Sequence, residues 1–188
     1  MGVLKSISKI VVKISGWKII GELPKEIKKC VIIVAPHTSM WDFVIGRLVY
    51  WTFDVPVRFL IKKEMFDNPF GWLLKKFGGI PVNRGKQNNM IDYVTKLFDR
   101  FEKLNVVITP EGTRKFTRHW KKGFYYIALK ANVPIAIAFI DYGKKEGGFG
   151  PMLYPSGNFD ADFKIIEDFY KTKTARHPKQ FNLSPQFH

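Results

Sequence analysis

Cys30-Val31-Ile32-Ile33-Val34-Ala35-Pro36-His37-Thr38-Ser39-Met40-Trp41-Asp42 is the stretch on which the reading of this chain turns. The run from Cys30 to Ala35 is apolar at every position, with no polar residue to face water. It predicts a strand buried on both faces, as in a parallel sheet. Pro36 ends the run, and a histidine follows at once. Asp42 then falls in the first turn of a helix predicted over Trp41 to Thr52.

Working outward, strands are predicted at Val57–Ile61, Gly79–Val82, Val106–Thr109, Val133–Ile140 and Met152–Tyr154. Helices are predicted at Asn88–Leu104, Lys121–Ala131 and Ala161–Tyr170. Residues 62–77 read as irregular or short-helical, and Tyr142 to Gly150 as a turn around Gly147-Gly148. Strands alternating with helices place the chain in the α/β class. The expected architecture is a single domain with a mixed, mainly parallel central sheet flanked by helices. The expected organisation is an amphipathic helix over residues 1–21, a domain over 22–175 and a loosely held polar tail over 176–188.

The composition narrows the partners. At 188 residues, with 46% hydrophobic and 25% charged, the chain can bury the core of one ordinary globular domain. Lys and Arg total 31 against 16 Asp and Glu, a net charge of +15. Such a chain favours an anionic partner: nucleic acid, an anionic membrane or an acidic protein. An aromatic share of 15% suits a membrane interface and single-stranded nucleic acid alike. The single cysteine, Cys30, excludes an internal disulfide framework and a cysteine zinc site. No apolar run is long enough to predict a transmembrane helix. Lys5, Lys9, Lys13 and Lys18 break up any signal-peptide core. In the first helix Val3, Leu4, Ile7, Ile10, Val11, Ile14 and Trp17 share one face, and Lys5, Lys9 and Lys13 another. That pattern fits a helix lying in a bilayer interface, and also a surface helix packed on its own domain.

In open α/β sheets, sites form beyond the carboxyl ends of strands. His37, Arg84 and Glu111 each stand just past a predicted strand. A neutral imidazole can take a proton from a hydroxyl near neutral pH. It does so better when a carboxylate fixes its tautomer and stabilises the imidazolium. Asp42 can supply that carboxylate. Ser39-Met40-Trp41-Asp42 is also a capping box, so Asp42 can simply cap its helix. These residues alone leave both readings open. Arg84, after Gly78-Gly79-Ile80-Pro81-Val82-Asn83, suits a phosphate. In Pro110-Glu111-Gly112-Thr113-Arg114 the arginine can grip phosphate, and Glu111 can hold that arginine or bond substrate hydroxyls. The same five residues can also be a plain solvated turn. The four histidines show no metal-ligand spacing, and no glycine-rich nucleotide loop is present. Neither a metal nor a nucleotide cofactor is expected.

Taken in order, these stretches resemble the glycerolipid acyltransferase family that includes the bacterial 1-acyl-glycerol-3-phosphate acyltransferases. Its H-x4-D block matches His37 and Asp42. Its arginine block matches Gly79 to Arg84, its P-E-G-T-R block matches Pro110 to Arg114, and its V-P-I strand matches Val133-Pro134-Ile135. Thr109, Lys115 and Asn83 depart from the residues usual at those places, where phenylalanine, serine and aspartate are common. The resemblance implies a glycerol-3-phosphate acyltransferase-like fold and an O-acyltransferase with His37 as base and Asp42 as its partner. It implies that Arg84, Glu111, Gly112, Thr113 and Arg114 bind the acceptor. The donor would be an acyl thioester on acyl carrier protein or coenzyme A, with no further cofactor. The acceptor would be a lysophospholipid, foremost 1-acyl-glycerol-3-phosphate giving phosphatidic acid, or another lyso-lipid such as a lyso-aminolipid. Anionic membrane lipids are expected partners, at the cytoplasmic face, with a peripheral or monotopic attachment. Trp41, Phe43, Trp51 and Phe70 can line an acyl groove or belong to the core. A hydrolase acting through the same histidine on water is a further reading. A basic nucleic-acid-binding module is the distant one, because it leaves the ordered blocks without a role, so no nucleic acid is expected.

Overall fold

The apolar run forms strand β2 (Lys29–Ala35), and its two faces define two cores. Val31, Ile33 and Ala35 face one buried cluster, and Cys30, Ile32 and Val34 the other. A computed structural model describes residues 2–69, 71–82 and 87–183. Among them the chain runs α1 (Gly2–Ile14), β1 (Lys18–Ile20), β2, α2 (Met40–Phe53), β3 (Val57–Lys62), α3 (Gly71–Lys76), β4 (Gly79–Val82), α4 (Gln87–Arg100), β5 (Leu104–Ile108), α5 (Gly123–Lys130), β6 (Ile135–Asp141), β7 (Glu146–Leu153) and α6 (Phe159–Tyr170).

The strands form one sheet in the order β1-β7-β6-β2-β5-β3-β4. Only the β6–β7 pair is antiparallel. The domain is therefore α/β with a mostly parallel mixed sheet, as the alternation of elements predicts. One face is covered by α4, α5 and α6 through Val94, Phe98, Phe124, Ile127, Phe163 and Ile166. The other is covered by α2 through Tyr50, Ile45 and Phe53. Covering both faces is what a strand apolar at every position requires. The hydroxyl of Tyr170, fully buried in α6, donates to the carbonyl of Ala138 at 2.7 Å, so the core keeps its polar atom satisfied.

Within residues 62–77 the short-helical form is found, and other elements differ from the sequence expectation. The first helix stops at Ile14, because Gly16 adopts a left-handed φ of 74°. The residues expected to continue it, Lys18 to Ile20, pair instead with β7. Gly147 and Gly148 read as a turn but lie inside β7. A Cβ at Gly148 would collide with the carbonyl oxygen of Ile20, so glycine here allows β1 to close onto β7. Residues 63–66 form a 3-10 turn followed by α3. The segment from residue 174 to 183, most of it expected to hang loosely, is packed against the loops that follow β2, β5 and β6. Ala175 is buried, and the Trp120 indole donates to the carbonyl of Asn182 at 2.7 Å. Its polar composition hid these main-chain contacts, which carry no side-chain signature.

Candidate active site

Parallel pairing brings the two histidine- and glutamate-bearing loops together. β2 and β5 are neighbours in register, Ile33 opposite Ile108, so both chains leave the sheet at the same edge, side by side. Beyond β2 the Ala35–Pro36 peptide is cis, and His37 follows. Beyond β5 the chain turns at once: Gly112 N–H donates to the Thr109 carbonyl at 3.0 Å, with Gly112 at a φ of 66°. That turn points Glu111 inward. Its Oε1 accepts the backbone N–H of His37 at 2.7 Å. The two loops are thereby fastened to each other at the histidine itself.

Asp42 returns to the same histidine from the first turn of α2. Ser39 caps that helix, its hydroxyl accepting the Trp41 N–H at 3.2 Å. Asp42 Oδ2 accepts the N–H groups of Thr38 and Ser39 at 2.7 and 2.8 Å and lies 3.5 Å from His37 Nδ1. The capping and catalytic readings of this stretch are therefore compatible, because the cap holds the carboxylate where it meets the imidazole. With Nδ1 turned to Asp42, Nε2 is the nitrogen left to accept a proton. Burial pushes the Asp42 carboxyl up. Hydrogen bonds from His37, Tyr142 and the Ser39 and Thr38 amides outweigh it and leave the group below the usual carboxylate range.

Glu111 is in the opposite condition. Burial, opposed by one amide and reinforced by the nearby Asp42 charge, raises it to about 8. Its Oε2 is buried with no hydrogen-bond partner among the described residues. Its Oε1 holds the His37 main chain, a partner beyond the arginine and substrate hydroxyl that the sequence suggests. Thr113 and Arg114 stand exposed on the rim of the same loop. A Cβ at Gly112 would press on the Lys121 side chain at 2.8 Å, so glycine fits the turn closely. Arg84 lies outside the described residues, as does Phe70. β4, which precedes Arg84, runs parallel to β3 and ends at the same sheet edge. Trp41 and Phe43 are exposed on α2, and Trp51 is half-buried.

Three residues were not singled out from the sequence. Thr38 is buried, and its hydroxyl accepts the His177 N–H at 3.2 Å. Tyr142, just past β6, donates its hydroxyl to Asp42 Oδ1 at 2.7 Å. Arg176 places its guanidinium over the rings of Trp41 and Tyr142, at 5.6 and 5.7 Å. The strand-end rule that picked out His37 and Glu111 applies equally to Tyr142. No local signal points to Arg176. Gln180 lies between both loops: with its amide turned to the orientation that satisfies its neighbours, the nitrogen donates to the Thr38 carbonyl at 3.1 Å and the Arg114 carbonyl at 2.8 Å. Among the described residues no cluster of three or more His, Cys, Asp or Glu side chains could hold a metal ion.

The pattern of the Acyltransferase family matches residues 17–140. The chain is 31% identical over 156 residues to the human 1-acyl-sn-glycerol-3-phosphate acyltransferase beta, covering 80% of this chain and 49% of that protein. It thus spans about half the length of that curated relative. The fold resembles the crystal structure of the 1-acyl-sn-glycerophosphate (LPA) acyltransferase PlsC of Thermotoga maritima, with a TM-score of 0.58 at 18% identity. That likeness covers 93% of this chain and 81% of the other.

Proposed function

Because the chain belongs to the acyltransferase family, we propose that it moves a fatty acyl group from a thioester to the hydroxyl of a lysophospholipid. The favoured acceptor is 1-acyl-glycerol-3-phosphate, giving phosphatidic acid. The observation that carries this reading is the pairing of His37 Nδ1 with Asp42 on a loop whose backbone is fastened to Glu111. His37 Nε2 takes the acceptor's hydroxyl proton as the oxygen attacks the thioester carbonyl carbon. The tetrahedral intermediate collapses, the carbon–sulfur bond breaks, and the departing thiolate takes the proton from the imidazolium. Asp42 holds the tautomer and stabilises the imidazolium between the two steps. Arg114, exposed on the rim, and Arg84 hold the acceptor phosphate. Thr113 and Gly112 shape that rim, and Glu111 serves by holding His37. The donor is acyl carrier protein or coenzyme A thioester, and no further cofactor takes part.

The test supplies labelled acyl thioester and a panel of lyso-lipids to the full chain. Phosphatidic acid is the expected product, and His37→Ala should lower its rate by roughly a thousandfold while the protein stays folded. An active, folded His37→Ala variant overturns the mechanism. Free fatty acid as the product would make the protein a hydrolase, and preferred turnover of a lyso-aminolipid would reassign the acceptor.

The same reading places the enzyme on a lipid surface. Helix α1 turns only Ser8 and Val12 into the protein, where the Thr52 hydroxyl donates to Ser8 Oγ at 3.2 Å. Val3, Leu4, Ile7, Ile10, Val11 and Ile14 are all exposed, Ile14 at 81% and Val3 at 74%. A surface helix of a soluble domain points such a stripe inward. Met40, Trp41, Phe43 and Val44 expose further apolar surface on the neighbouring helix, next to His37. Among the described residues no helix is long and apolar enough to cross a membrane, so the proposed attachment is peripheral, at the cytoplasmic face. The net charge of +15 favours anionic lipid. The double variant Ile10→Glu, Ile14→Glu removes no packing within the domain. It should weaken sedimentation with anionic vesicles by more than about tenfold. Unchanged binding would rule out α1 as the anchor.

A further inference from the structure

Tyr142 comes from outside the family pattern, which ends at residue 140, yet it touches the catalytic carboxylate. Its hydroxyl donates to Asp42 Oδ1 at 2.7 Å, and the Arg176 guanidinium lies over its ring, 5.7 Å from the centroid. The direction is forced. An ionised carboxylate only accepts, so the phenol directs its single proton to Asp42. The ring is also held in place. Trp17 packs edge-on at 5.2 Å, Arg176 lies over its face, and its backbone N–H donates to the Thr174 carbonyl at 2.9 Å. Asp42 Oδ2 is already committed to two amides and to His37. The bond to Oδ1 therefore decides whether the carboxylate can turn.

We infer that Tyr142 is a positioning residue for acyl transfer and that Arg176, packed over its ring, holds the phenol in place, so that a relay Arg176–Tyr142–Asp42–His37 presents the imidazole to the acceptor. This rests on the reading of His37 as the base. Two effects follow. The carboxylate is fixed in the plane that His37 needs. The phenol also draws negative charge toward Oδ1, away from the edge that faces Nδ1. Asp42 is faced by His37 and Thr38 from its own loop, by Glu111 from the loop after β5, by Tyr142 after β6, and through Tyr142 by Arg176 of the C-terminal segment. Without the phenol, the carboxylate's charge concentrates on the side that faces His37.

The experiment compares full-length Tyr142→Phe with wild type across pH, using acyl thioester and lyso-lipid on vesicles. The variant should lose about tenfold in kcat near neutral pH, the size expected for one hydrogen bond to a charged group. KM for the lyso-lipid should stay within about twofold. The acid limb of kcat/KM should move alkaline by about half a unit, so that raising the pH recovers part of the rate. Arg176→Met, which keeps the phenol but removes the guanidinium packed over its ring, should move the same limb in the same direction by less. It also serves as the test if Tyr142→Phe does not fold. Unchanged kcat and acid limb overturn the inference, as does a loss uniform across pH or carried by KM, either of which would mean packing alone. His37→Ala separates the two readings. If that variant is inactive while Tyr142→Phe behaves as wild type, only the relay falls. If His37→Ala turns over, the base assignment falls with it.

Discussion

Asp42 and Glu111 lie on the two loops that meet at His37 and are equally buried, at 3% and 2% exposure. Their electrostatic states are opposite. Asp42 receives two backbone amides, the Tyr142 hydroxyl and the His37 imidazole, and these donors more than offset its burial. Glu111 receives one amide at Oε1, its Oε2 is orphaned, and burial raises it to about 8. Burial alone therefore accounts for Glu111 and fails for Asp42. The number of donors turned toward each carboxylate, side-chain as well as main-chain, separates them. Asp42 sits in a helix N-terminal turn, where free amides converge. Glu111 projects from a tight turn across a gap to one amide of the other loop. The carboxylate held low is the one beside His37, and the one that burial raises fastens the loops together.

The severest way to break this contrast is to remove the charge of Asp42 while keeping its shape. In Asp42→Asn the amide oxygen can keep the Thr38 and Ser39 N–H groups, and the amide nitrogen turns toward Tyr142. The cap survives, so the fold should hold, with melting lowered by only a few degrees. His37 loses its anionic partner, and kcat should fall by roughly 10²- to 10⁴-fold. A variant with near wild-type kcat would reduce Asp42 to a helix cap, the alternative that the sequence left open.

The sequence showed the framework of this site better than its wiring. Cys30 to Ala35 was legible as a doubly buried strand because every position is apolar. The convergence of the His37 and Glu111 loops followed from both residues ending parallel strands. The pairing of Glu111 with the His37 amide was not legible, because a main-chain donor leaves no trace in residue identity. Gly147 and Gly148 carried the composition of a turn, and only the approach of Ile20 made them strand. Helix α1 shows a different limit. Its periodicity gave an apolar stripe and a lysine row, but a periodic pattern does not say which stripe the protein covers. The small residue Ser8 marks that side through close approach to α2. Tyr142 sat at a strand end and was open to the same placement rule as His37. Arg176 reaches the site from a polar tail by tertiary packing alone.

The smallest expected change sharpens the contrast from the other loop. If Glu111 carries a proton in the folded protein at neutral pH, Glu111→Gln imitates its working form. The amide oxygen still accepts the His37 N–H, and the amide nitrogen stands where the protonated Oε2 stands. Activity at pH 7 should stay within about threefold of wild type. The difference appears in stability against pH. The folded group is raised from 4.5 to about 8. Between those values the unfolded chain has released a proton that the folded chain still holds. Wild-type stability from this group is therefore full below about 4.5 and declines as pH rises to about 8, beyond which it changes no further. Glutamine has no such term. Urea unfolding at pH 5 and pH 8 should show the variant gaining about 3 kcal/mol on wild type across that interval. A constant difference between the two pH values would mean that Glu111 is ionised in the fold, and the two carboxylates would then be alike. A gain confined to this window, with turnover kept, would assign Glu111 to fastening the loops and leave the chemistry to Asp42 and His37.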